Sequence, residues 1–218
     1  MGSVTKFKRL HAGVSGALFR CAIKYIDIPI APWTLEKKAL YAYLIARVAS
    51  LLMPWALSVL EYKVAPQITS IAQGQLQLQF QAAAARVNLG YLMVCGAMAL
   101  LVLYVGPYLA VLVGVADPMF GEILLWLVIG QSAPALFGAT SLLMHALDRA
   151  FFYNLILGLT ALFFLVCIAT VGAPDGRVLA QTLAAGQLAQ ACVCALLLTK
   201  SGVWPGLTAL FHKQIRIF

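Results

Sequence analysis

The sequence predicts an all-α fold: a polytopic transmembrane bundle of about six helices. Three observations predict it. Of 218 residues, 63% are hydrophobic and 10% charged, whereas soluble domains are roughly 45–50% apolar and about 25% charged. Mean hydropathy is +0.94. The apolar residues fall in runs near the ~20-residue length that crosses the ~30 Å hydrocarbon core as a helix. Short polar connections, most of them basic, separate those runs.

Residues 1–11 form a basic tail (Lys6, Lys8, Arg9). Arg20 interrupts the apolar stretch that follows, and no small-residue cleavage site comes after it. The tail therefore reads as a cytoplasmic lead into the membrane, not a cleaved signal. Arg20, Lys24 and Asp27 share a face at i, i+4 and i+7. We read 12–32 as a polar-striped span, with an interfacial helix as the alternative. Lys24 and Asp27 are expected to neutralise each other there. Pro29 and Pro32 are expected to stop the helix.

The next span, 39–62, carries Arg47 inside an apolar run. A charge in such a run is costly and ordinarily faces protein or a watery cavity. At helical spacing Arg47, Ser50, Pro54, Ser58 and Glu61 form one polar stripe, and Pro54 predicts a kink. Residues 63–85 are the long polar connection. Their glutamines alternate from Gln73 to Gln81, a pattern that would signal a strand. A lone strand between membrane helices has no partner, so an irregular or amphipathic helical connector is expected.

Residues 87–105 form the third span, ended by Gly106-Pro107. The apolar piece 108–115 is too short to cross and reads as interfacial or re-entrant. The fourth span, 122–147, bears a second stripe of Gln131, Pro134, Gly138, Ser141, His145 and Asp148. Asp148-Arg149 turns into the span 151–172, and 173–176 is turn chemistry. The last span, 178–199, places Gln187 and Gln190 one turn apart. A basic, aromatic interfacial tail covers 200–218.

The net charge of +8 follows the loop rule for membrane proteins. Lys6, Lys8, Arg9, Lys63, Arg86, Arg149, Lys200, Lys213 and Arg216 fall on one side of the six spans. Lys37, Lys38 and Arg177 fall on the other. This predicts six spans with both termini in the cytoplasm. No aromatic-and-basic patch points to nucleic acid. Five cysteines, four of them in apolar runs, have neither disulfide nor zinc spacing. No P-loop, dinucleotide fingerprint or HEXXH motif is present. His145 with Asp148 lacks a nucleophile and reads as capping and packing, so no enzyme, metal or cofactor is expected.

The polar stripes instead point to transport. Two helices kinked by Pro54 and Pro134 suit a solvated cavity. Arg47 is the anion-binding candidate, because guanidinium matches phosphate geometry. Ser50 and Gln131 lie on the same two stripes.

The order of features carries a resemblance. Ile26-Asp27 ends a first helix. Tyr41-x-Tyr43-x-x-Ala46-Arg47-Val48-Ala49-x-Leu51-Leu52 follows, then Ala65-Pro66-Gln67-Ile68, Arg86 and Tyr104-Val105-Gly106. Over about residues 20–200 this resembles the C-terminal half of bacterial polysaccharide flippases, relatives of the multidrug and toxin extruders. The resemblance implies one six-helix lobe of a two-lobe fold. It implies alternating-access export of an undecaprenyl-pyrophosphate-linked oligosaccharide. It also implies that Arg47, with Arg20 and Lys24 as companions, holds the acidic head group. The chain is about half the family's length, so a second lobe or a second copy is an expected partner, alongside membrane lipid. A multidrug exporter lobe and a non-transporting scaffold are the alternatives.

Overall fold

A computed structural model describes residues 24–74, 77–115, 117–171 and 174–206. The tail 1–11, Arg20 and residues 207–218 lie outside them. Among the described residues every regular element is an α-helix. In chain order these are α1 (Asp27–Thr34), α2 (Lys37–Ser50), α3 (Leu52–Gln73), α4 (Gln77–Leu112), α5 (Phe120–Gln131), α6 (Ala133–Phe137), α7 (Thr140–Ala146), α8 (Ala150–Val171) and α9 (Gly176–Lys200). Among the described residues five stretches are long and apolar enough to cross a membrane: Lys37–Gln73, Gln79–Leu112, Phe120–Phe137, Ala150–Val171 and Gly176–Lys200. The fold is an all-α membrane-type bundle.

The central helix is α5. Its Ile123, Leu124, Leu127 and Val128 are all buried. It packs on α9, α2 and α4, while α3 runs along α4 and α8 along α9. The outer faces of α4 and α8 expose large apolar side chains such as Met93, Leu100, Leu159 and Leu162. In a bilayer such faces meet lipid, which is as apolar as leucine.

Several boundaries differ from the sequence reading, each for a physical reason. Pro29 and Pro32 lie inside α1 rather than ending it. Pro29 sits in the first turn, where the N–H groups have no intrahelical acceptor anyway. The connector 63–85 is helical on both sides of residues 75–76, so α3 and α4 form a long hairpin. Glutamine and alanine are good helix formers, and the alternation imposed no strand. The helix α4 runs through Gly106-Pro107 to Leu112. A Cβ on Gly106 would collide with Leu124, so this glycine is the notch where α5 seats. The expected single span 122–147 is broken into α5, α6 and α7. Gly138, at φ 79° and ψ −172°, makes the second break. In that region of backbone space only glycine is comfortable.

Candidate functional site

Two helix irregularities make room in the bundle. The first is between α2 and α3. Pro54 has no N–H for the Ser50 carbonyl. The Ser50 hydroxyl donates to the Arg47 carbonyl at 2.8 Å, which also accepts from the Leu51 N–H at 3.1 Å. The second is the α5–α6–α7 segment. There the Asn88 side chain of α4 accepts from the Ala139 N–H at 2.9 Å. A Cβ on Gly138 would meet both that Asn88 oxygen and the backbone nitrogen of Gly206. Broken backbone inside a membrane bundle is tolerated where it is buried in protein or lines a cavity.

It lines one. A cavity of about 440 Å³ lies between α3, α4, the α5–α7 segment, α8 and α9. Pro54, Ser58 and Glu61 form one wall, and Gln131, Pro134, Gly138 and Ser141 form another. The two polar stripes thus meet across this space. Gln187 and Gln190 of α9, Tyr91 of α4 and Tyr153 of α8 complete it. The volume falls within the roughly 300–1,000 Å³ of small-molecule sites. Tyr91 donates a short hydrogen bond to the Glu61 carboxylate. The Gln131 amide nitrogen is buried without a protein partner. Gln187 is pressed against Gly130, where a Cβ would also stand 2.8 Å from the Ala184 Cα.

Arg47 is elsewhere. Its Nε donates to Asp27 Oδ2 at 2.8 Å and its Nη2 to Asp27 Oδ1 at 3.1 Å. Tyr43 donates to the same carboxylate at 2.7 Å. Both charged side chains are fully buried. The guanidinium also lies 5.7 Å from the Tyr25 ring centre, and Nη2 reaches the Lys24 carbonyl at 3.4 Å. This corrects two expectations. Asp27 neutralises Arg47, not Lys24, and Arg47 does not line the cavity. The physical reason is fit: a planar carboxylate takes both N–H groups of the fork, which a lysine ammonium cannot offer. With its hydroxyl spent on Arg47, Ser50 is also absent from the cavity wall.

Of the predicted site residues, Lys24 and Gln131 line the cavity. Lys24 stands 5.9 Å from the Tyr25 ring centre. Arg20 lies outside the described residues. His145 and Asp148 do not form a reacting pair. The His145 Nδ1 is 2.7 Å from the Ser141 carbonyl, and its ring stacks edge-on to Tyr153 at 5.4 Å. Glu61, Tyr91, Tyr153, Gln187 and Gln190 line the cavity with Lys24 and Gln131, and none of these five is among the residues expected from the sequence to bind cargo. Glu61 was on the stripe and the two glutamines shared a helix face. The tyrosines carried no signal beyond being amphipathic. Neither a protein-family profile, nor a curated protein, nor a solved structure matches this chain.

Proposed function

We propose that this chain is one lobe of a membrane transporter. It moves a lipid-linked oligosaccharide or polysaccharide precursor across a bacterial inner membrane by alternating access, with both termini cytoplasmic. The observation that carries the reading is the cavity: about 440 Å³, walled by polar and apolar side chains together, and set in the helical bundle beside a broken helix. Discontinuous helices at such cavities are where membrane transporters bind cargo. The wall chemistry supports a saccharide. Amides and hydroxyls from Gln131, Gln187, Gln190, Ser58 and Ser141 offer both donors and acceptors to sugar hydroxyls. Tyrosine rings supply flat apolar faces with a polar tip. A second lobe or second copy would close the open side, because this cavity is walled on part of its circumference by a single chain.

The test is complementation of a flippase-deficient strain. Gln131→Leu and Gln190→Leu together are expected to cut glycan display at least ten-fold while membrane levels of the protein stay unchanged. Wild-type display from that double variant overturns the reading. Orientation is checked separately with a cysteine at Gln73: labelling by an impermeant maleimide from outside overturns the cytoplasmic placement of the hairpin.

A further inference from the structure

Hydrogen bonds made within the chain decide what one wall of the cavity can still accept. The Ser58 hydroxyl donates to the Pro54 carbonyl at 2.7 Å. The Tyr91 hydroxyl donates to the Glu61 carboxylate. Both hydrogens are thus spent, and an ionised carboxylate has none to give. Ser58, Glu61 and Tyr91 therefore present oxygen lone pairs to the cavity and no donor. The α5 wall is the opposite. Gln131 is only 6% exposed, lines the same space, and holds its Nε2 there as a buried donor without a protein partner.

Glu61 also lacks a counter-ion. The ion pairs among the described residues are Arg47 with Asp27 and Arg177 with Glu122. Glu61 lies within the spanning stretch Lys37–Gln73. An ionisable group in a membrane span ordinarily has its partner beside it or serves function.

We propose that Ser58, Glu61 and Tyr91 form a subsite for a protonated amine, so that the cavity takes an amino-bearing sugar with its ammonium on α3 and an oxygen on Gln131. This rests on the saccharide reading of the cavity.

An ammonium group is the complement of this wall, because it carries three N–H donors and no acceptor. Its hydrogen bonds to a carboxylate are charge-assisted, about twice the strength of neutral ones. A phosphate or an acidic sugar brings further acceptors and sets its charge against Glu61. An N-acetylated amine keeps one donor and loses the charge. The rings of Tyr91 and Tyr153 border the same space, and tyrosine faces attract ammonium groups. Lys24, which also lines the cavity, stands over Tyr25 at 5.9 Å from the ring centre. The volume of about 440 Å³ has room for a whole ring, whereas a small hard cation needs a close shell of about six oxygens.

The experiment uses the full chain in lipid nanodiscs. Ligand-observed NMR gives dissociation constants for glucosamine, N-acetylglucosamine and glucose at slightly acidic pH, where the free amine is protonated. Glucosamine is expected to bind about five-fold tighter than N-acetylglucosamine, the preference left by a charge-assisted bond after the amine has left water. Glu61→Gln keeps the side chain's size and an oxygen for Tyr91. It should erase that preference and leave N-acetylglucosamine binding unchanged. Equal affinities in the wild type, or a preference that survives Glu61→Gln, overturn the subsite. Should Glu61→Gln not fold, the wild-type ratio still decides. Displacement of glucosamine by equimolar sodium chloride also overturns it, since the wall then holds a metal ion. Ethylammonium separates the two readings. Glu61-dependent binding of ethylammonium as tight as that of glucosamine, with none of glucose, keeps the amine subsite and removes the saccharide. Glucose and glucosamine binding alike keep the saccharide and remove the subsite.

Discussion

Two polar regions sit in the same apolar bundle and behave oppositely. Around Asp27, the charges of the aspartate and Arg47 and the hydroxyl of Tyr43 are turned on one another, with both charged side chains fully buried. Around Gln131, a comparable number of polar groups is turned toward an open space. In sequence Arg47 shares a stripe with Ser58 and Glu61, which do line the space, and it is the more conspicuous residue. The difference teaches that polarity in a membrane helix marks either a strut or a site. What separates them is whether the partner is already in the chain.

The comparison breaks most readily at Asp27. Asp27→Ala leaves a guanidinium buried without its counter-ion and is expected to destabilise the bundle by about 3–5 kcal/mol. Thermal unfolding of the detergent-solubilised protein measures it. The double change Asp27→Leu with Arg47→Met should return most of that loss, since apolar replacement of a buried pair is often neutral or better. A single variant as stable as wild type would mean the pair is not a strut. Next in size is Gly138→Ala, at the cavity's broken helix. It forces a Cβ into a glycine-only backbone region and against Asn88, and a loss of about 1–3 kcal/mol is expected. Smallest is Gln131→Leu. It deletes a buried amide nitrogen that has no protein partner, so stability should stay within about 1 kcal/mol of wild type. A large loss there would place Gln131 with the strut and not with the cavity.

The apolar runs made much of this architecture readable. The helices Ala150–Val171 and Gly176–Lys200 follow from long, mostly apolar runs bounded by turn chemistry. Asp175 caps the second by accepting from the Val178 N–H at 2.7 Å. The helical stripes were equally visible, because residues three and four apart share a face whatever the tertiary contacts. What could not be read was pairing across helices. Arg47 and Asp27 are 20 residues apart, across two prolines that seemed to end the first helix. The break at Gly138 was hidden too. Glycine in a membrane helix serves close packing as readily as a turn, and here only the position of Asn88 and Gly206 distinguishes the two. At Gly106 the same residue type does the opposite, sitting inside a continuous helix under Leu124.

One contact bears on how the protein is made. The Gln81 amide donates to the Gly202 carbonyl and accepts from the Trp204 N–H at 3.3 Å, joining the start of α4 to a turn more than 120 residues later. The neighbouring Gly206 lies against Leu136 and Phe137, at the break that shapes the cavity. During synthesis the helices α1 to α9 are therefore all made before this anchoring turn. The polar space can reach its final form only when residues 202–206 have been translated and have folded back.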